Sequence, residues 1–409
     1  MNQVSKTSAV GIAAVALLAV VISLLSSHYS RPQVLRFDEQ YYFSVGKSIA
    51  GGYYDDNYIV RPPLYPVFVG IIFRIFGPAI GVVLIIQSLL RGLLVAEVGW
   101  LGRRYFSRWT GLLASVLVAI YPLVVWIYTR LLNEALYLPI FVVSIWAVER
   151  AYRSQRDRDS FIAGLVCGMA SLVRVTSFFL TLLLALFFAL RPAGGRFSTR
   201  ALRPAVLLVA GLFVAISPWT IRNLVVHKTF MPIGNEAAFN LYFTVAGTSV
   251  DEARQRWDSW GSQAERQKEA LRLWEAYLRE HPAHHVRRFI GNLPRVFNPR
   301  SQGFATGLAV IYSGTTCRRN MTLNTLVSGL IRVTFVLVMF GGLVGIATVR
   351  TDPATRWIWL IAILYFLILH PATVMKARYF LPLVPPLSIF ASRLLEVSGR
   401  WLDRLLRKK

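Results

Sequence analysis

Arg36-Phe37-Asp38-Glu39-Gln40-Tyr41-Tyr42, followed about twenty residues later by Arg61-Pro62-Pro63-Leu64-Tyr65-Pro66, decides the reading of this chain. The two motifs sit between an apolar run at about residues 8–27 and a series of further apolar segments. Ionisable groups placed beside hydrocarbon are costly, and those that persist there usually serve a function. Composition makes hydrocarbon the relevant solvent. Of 409 residues, 55% are hydrophobic and 16% charged, whereas a soluble domain carries about 25% charged residues. Apolar runs of about twenty residues, each able to cross roughly 30 Å of hydrocarbon, recur along the chain. The expected fold class is an all-α polytopic membrane protein.

Ten spans are expected, at about 8–27, 80–102, 109–128, 133–150, 160–175, 177–191, 204–220, 324–348, 356–373 and 378–396. With the N-terminus inside, Arg103/Arg104/Arg108, Arg150/Arg153/Arg156/Arg158, Arg191/Arg196/Arg200/Arg203, Arg350/Arg356 and the basic tail 400–409 all fall on one face. That is the positive-inside pattern. It accounts for the formal net charge of +25, so the charge implies no nucleic-acid partner. The first run is expected to be a retained signal anchor, since it lacks a small-x-small cleavage site. The apolar stretch Leu64–Phe76 is too short for a span and is expected to lie at, or dip into, the membrane surface. Two large external loops result, 28–79 and 221–323. The chain then divides into 1–220, the loop region 221–323, and C-terminal spans with a basic tail, 324–409. In the second loop Gln263–Glu280 reads as an amphipathic helix, with Ala270, Leu271, Trp274 and Leu278 on its apolar face. Pro282 ends it.

In this topology the polar residues near span ends converge outside: Asp38-Glu39, Asn133-Glu134, Arg174, Arg222-Asn223 and Lys376-Ala377-Arg378-Tyr379. Acids and bases gathered at one interface suit an anionic amphiphile. Moving a sugar off a lipid phosphate needs a base for the acceptor hydroxyl and cations for the departing phosphate. Asp38 is the natural base. Arg61, Arg222 and Arg378 are the natural phosphate ligands, because a guanidinium can hold phosphate oxygens bidentately.

Asp38-Glu39, Arg61-Pro62-Pro63-Leu64-Tyr65-Pro66, Asn133-Glu134, Pro218-Trp219-Thr220-Ile221-Arg222-Asn223 and Arg378-Tyr379 resemble, in order and topological position, the motifs of GT-C glycosyltransferases. The likeness covers about 1–396 and is to the branch of protein O-mannosyltransferases and lipid A aminoarabinose transferases. It implies a GT-C-type bundle in which Asp38 is catalytic, Arg61 contacts donor phosphate, and Glu134 is a second acid at the cavity. Glu39 completes the acidic set, and Tyr65, Asn223, Asn240, Tyr242 and Tyr379 are expected to line the substrate. One departure is Arg61, which stands where aminoarabinose transferases have Lys.

The expected function is inverting transfer of a monosaccharide from a polyprenyl-phosphate donor to a hydroxyl on a lipid, glycan or protein acceptor. Membrane lipids are the other expected partners. The expected location is a bacterial inner membrane, with the site facing the periplasm. The alternative is a polytopic transporter or lipid flippase; inverted repeats and helices broken at the midplane would mark it, and neither is evident. The residues call for no cofactor or catalytic metal, although a divalent ion is left open. His281, His284 and His285 read as a polar helix contacting headgroup or substrate rather than a metal site, and Asp157-Arg158-Asp159 as a short cytoplasmic turn. Cys167 and Cys317 form neither a disulfide framework nor a zinc motif. Arg91, in mid-span, is expected to pair with a carboxylate or carbonyl inside the bundle.

Overall fold

The computed structural model describes residues 2–30, 35, 37–55, 60–190, 199–313 and 316–407. Seven of its helices are long and apolar enough to cross a membrane. They contain Ala9–Ser30, Ile80–Tyr105, Glu134–Ser154, Leu202–His227, Met321–Thr348, Pro353–Ala372 and Ala377–Trp401. The pair Arg108–Ile120 and Pro122–Tyr128, bent by 60°, is together long and apolar enough for an eighth, as a broken span or a re-entrant loop. Pro122 explains the bend, because it donates no backbone hydrogen bond and turns the preceding residue toward an extended conformation. The other two expected spans are shorter helices, Asp157–Val173 and Thr176–Ala189, of 17 and 14 residues. Large side chains such as Leu17, Leu89, Leu186 and Phe213 are exposed on the outside of the bundle, as a lipid-facing surface requires.

Packing inside the bundle relies on small residues and one buried cation. Asp157–Val173 lies tightly against Thr199–His227; a Cβ at Gly164 would come within 2.1 Å of the Leu208 carbonyl, and one at Gly211 within 2.2 Å of that of Phe161. Such close approach is how helices associate where no hydrophobic effect drives them. Arg91 is fully buried; it donates to the Ala19 and Ala119 carbonyls and, at 3.0 Å, to Ser23 Oγ. Carbonyls, not a carboxylate, answer this mid-span charge, and the residue ties three helices together.

The described residues of both expected external loops include helices. Helix Asp38–Ala50 packs on Leu64–Phe76, a 13-residue helix whose start is set by Pro62 and Pro63. The second loop contains helices Glu236–Val245, Val250–Ser259, Gln263–Glu280 and His284–Val296. A 3-10 segment, Pro299–Ala309, follows. Val310–Ser313 then pairs antiparallel with Thr316–Arg319, in a register running from Val310 opposite Arg319 to Ser313 opposite Thr316. This hairpin is a local addition to the all-α expectation. Gln263–Glu280 begins with a Ser262/Glu265 capping box and ends before Pro282, as the sequence indicates. Its inward face is not the expected one throughout: Ala270 is buried and Leu273 packs beside it, whereas Leu271 is exposed.

The two loops are stapled together. The Val60 N–H donates to Asn235 Oδ1 at 2.9 Å, the Asn235 N–H donates back to the Val60 carbonyl at 3.0 Å, and Asn235 Nδ2 donates to Gln263 at 2.8 Å. Gly234 permits this, since a Cβ there would stand 2.1 Å from the Val60 carbonyl oxygen. The staple carries Glu236 to Arg61.

Candidate active site

Between the stapled loops and the helix ends at that side of the bundle lies a cavity of about 810 Å³. That is within the usual range for small-molecule sites. Its walls combine aromatic and aliphatic residues (Phe37, Phe179, Leu369) with a concentrated set of charges.

Asp38 opens the first turn of its helix, with Phe37 just before it at φ 48°, a left-handed position uncommon for an aromatic residue. The carboxylate does not serve as a helix cap. Arg61 Nη1 donates to Oδ1 at 2.9 Å, and Arg378 Nη2 donates to Oδ2. Burial by itself would raise the Asp38 carboxyl, but Arg61 and Arg378, with Lys376 beyond them, outweigh it and hold the group well below the ordinary carboxylate range. Arg61 is nearly buried; its guanidinium lies 4.5 Å over the Tyr41 ring and 3.8 Å from Glu236. Burial opposes its charge, and Asp38 and Glu236 restore it, so the group is cationic at any working pH.

Arg378 also reaches Glu134, at 3.5 Å. Glu134 starts the helix Glu134–Ser154, and its Oε1 accepts from Arg174 Nη1 at 2.7 Å. Its Oε2 is buried with no hydrogen-bond partner among the described residues. Arg174 lies in the turn between Asp157–Val173 and Thr176–Ala189, its guanidinium 4.9 Å over the Tyr379 ring. Glu39 faces Arg130 at 3.6 Å.

The expected residues therefore separate into two groups. Asp38, Glu39, Arg61, Glu134, Asn240, Arg378 and Tyr379 line the cavity. Arg222, Asn223, Tyr65 and Tyr242 do not. Arg222 stacks over Trp219 at 4.7 Å and Tyr54 at 5.1 Å near the end of its helix. Asn223 is buried and donates to the Met231 carbonyl at 3.0 Å, closing the turn after that helix. Tyr242 packs edge-on against Trp260, 4.8 Å away, in a small core of the second loop. Tyr65 is fully buried and donates to Gln87 Oε1 at 2.6 Å; Gln87 Nε2 donates on to the Arg130 carbonyl at 2.9 Å. It supports the wall without touching what the wall encloses.

Four charged wall residues were not singled out by the sequence: Arg130, Glu236, Asp251 and Arg254. Arg130 carried a usable signal, standing three residues before Asn133-Glu134 in the same turn. The other three come from the second loop, whose many charges give no hint of which face inward. Lys376 and Arg254 take part in no ion pair among the described residues. Near the cavity, His284 Nε2 is 3.0 Å from the Thr244 carbonyl and His285 Nδ1 2.8 Å from that of Ala372. No three His, Cys, Asp or Glu side chains among the described residues gather as a metal requires.

Residues 60–221, less than half of the chain, match the family model for dolichyl-phosphate-mannose-protein mannosyltransferases. No curated protein matches in sequence. Among solved structures, the Archaeoglobus fulgidus oligosaccharyltransferase AglB, in complex with an inhibitory peptide and a dolichol-phosphate, aligns with 96% of this chain and 51% of its own. The TM-score is 0.53 at 17% identity. The same enzyme tethered to an acceptor peptide gives 0.53 at 16% identity, covering 95% and 50%. ArnT from Cupriavidus metallidurans bound to undecaprenyl phosphate gives 0.41 at 13% identity, covering 94% and 78%. The chain thus spans about half the length of the oligosaccharyltransferases it matches. It is an integral membrane protein with a GT-C-type fold, and its residues 60–221 carry the pattern of the dolichyl-phosphate-mannose-protein mannosyltransferase family.

Proposed function

We propose that the protein is an inverting glycosyltransferase that moves a monosaccharide from a polyprenyl-phosphate donor to an acceptor hydroxyl. The observation that carries this reading is Asp38, held between Arg61 and Arg378 in the wall of a cavity bounded by transmembrane helix ends. The family pattern of residues 60–221 and the shared fold with a dolichol-phosphate-binding enzyme support it. Asp38 accepts the proton of the acceptor hydroxyl as its oxygen attacks the anomeric carbon. The bond from that carbon to the phosphate oxygen breaks, and polyprenyl phosphate leaves. A single displacement inverts the anomeric centre. Arg378 and Arg61, with Lys376 at the rim, stabilise the charge that develops on the phosphate. Because the leaving group is an anion, no general acid is obligatory.

Glu134 holds Arg174 and Arg378 in place and is a positioning residue. Asn240 and Tyr379 are assigned to substrate contact because they line the cavity; Arg222, Asn223, Tyr65 and Tyr242 are left out because they do not. The positive-inside pattern favours a cavity facing away from the cytoplasm; in a bacterium that is the periplasmic side of the inner membrane.

The test is transfer by purified protein in lipid vesicles, using radiolabelled polyprenyl-phosphate sugars, envelope acceptors and the Asp38→Asn variant. Transfer by the wild type, lost in the variant, is expected. Movement of lipid-linked substrate across the bilayer without glycosyl transfer would replace this reading with a transporter.

A further inference from the structure

Each carboxylate oxygen of Asp38 accepts from one guanidinium, Oδ1 from Arg61 and Oδ2 from Arg378, and keeps a second lone pair. A general base needs a lone pair aimed at the proton it removes. With each oxygen paired to a guanidinium, Asp38 can still take a proton but is a weak base. Withdrawing one arginine would strengthen that base for proton transfer.

We propose that the donor phosphate performs this withdrawal, drawing Arg378 off Asp38 so that Oδ2, no longer paired to a cation, takes the acceptor's proton. The inference rests on the glycosyl-transfer reading and adds an order to it: donor first, base second. Arg378 is the cation that moves, for three reasons. Arg61 is nearly buried, stacked on Tyr41, and anchored beside Glu236 by the staple between the loops. Arg378 is more accessible, and it has a second partner in Glu134, against which it can turn without losing all compensation. Lys376 stands two residues away, exposed at the cavity wall and outside any ion pair among the described residues. A phosphate first met by Lys376 arrives next to Arg378. Phosphate also offers a guanidinium more oxygen acceptors than a carboxylate, so the exchange is favourable in kind.

Asp38 and the donor phosphate then compete for the same guanidinium, and this distinguishes exchange from simple bridging. Polyprenyl phosphate without a sugar is the probe, and its dissociation constant is measured for protein in nanodiscs. In Asp38→Asn the competitor's charge is gone, and binding is expected to tighten by at least about tenfold, a modest change for a partly buried charge pair. Arg378→Gln is expected to weaken it by a similar factor. Unchanged or weaker binding in Asp38→Asn, with wild-type binding intact, overturns the exchange and leaves the enzyme reading standing. Absence of binding to the wild type overturns both. Should Asp38→Asn not fold, wild-type protein labelled with ¹³C at its aspartate carboxyls gives the same answer. Infrared difference spectra on adding polyprenyl phosphate are expected to show a shifted carboxylate band, and no shift overturns the exchange.

Discussion

Glu134 and Glu149 stand at opposite ends of one helix, about 22 Å apart at 1.5 Å per residue. Both are almost fully buried, at 1% and 3% exposure, and both are paired with arginine. Their surroundings differ. Glu149 has partners on both oxygens: Oε1 is ion-paired with Arg153 at 2.8 Å and accepts from Thr355 at 2.9 Å, and Oε2 accepts from Tyr105. These partners sit in three different helices, so the glutamate acts as a clamp. Glu134 leaves one oxygen unpartnered among the described residues and shares Arg378 with Asp38 beside an open cavity. A buried ion pair by itself therefore says little about function. Incomplete satisfaction beside a cavity, with further cations in reach, says more.

The contrast can be broken by experiment. The largest expected effect is Asp38→Asn, which removes the base and should lower kcat by about 10³-fold or more in the vesicle assay. Arg378→Gln should lower kcat/KM by about 10²-fold, the usual cost of removing one preorganised donor at a charge-developing oxygen. Glu149→Gln should leave the activity of folded protein intact while lowering stability by about 1–3 kcal/mol, read as a shifted melting transition. If it instead lowers kcat without affecting stability, the two glutamates are not distinct. The smallest effect belongs to Arg222→Gln, which should change polyprenyl-phosphate affinity by no more than about twofold, as for a residue away from the site.

The pH response sharpens the same comparison. Because the folded pKa of Asp38 is depressed, its ion pairs contribute stability in full above the unfolded value of about 3.9. That contribution is lost as pH falls through the folded value. Acid-induced melting of the wild type should therefore steepen below about pH 4, and Asp38→Asn should flatten that limb.

The membrane class, the approximate spans and the set Asp38, Arg61 and Arg378 that the structure brings together were legible in the sequence, because each rests on local chemistry or on charge counted along the chain. Leu64–Phe76, read as too short for a normal span, is a helix of 13 residues, and Gln263–Glu280 was recognised by its period. Arg222, Asn223, Tyr65 and Tyr242 went astray because a motif fixes a residue's place in the chain but not the direction of its side chain. Tyr65 follows Arg61 by only four residues, just inside the helix Leu64–Phe76, yet its hydroxyl turns inward to Gln87. Glu236 and Arg254 were not found because nothing local distinguishes them from the other charges of residues 221–323.

The sequence alone determined that this chain lives in a bilayer and that an acid and several arginines lie beside one face of it. Hydrophobic length and the placement of arginine depend on the solvent each segment meets, not on distant parts of the chain. Only the tertiary structure decided which charges share a cavity. Asp38 and Arg378 are 340 residues apart, and the contact between them exists because packed helices and the staple at Val60 and Asn235 bring four separate segments to one place.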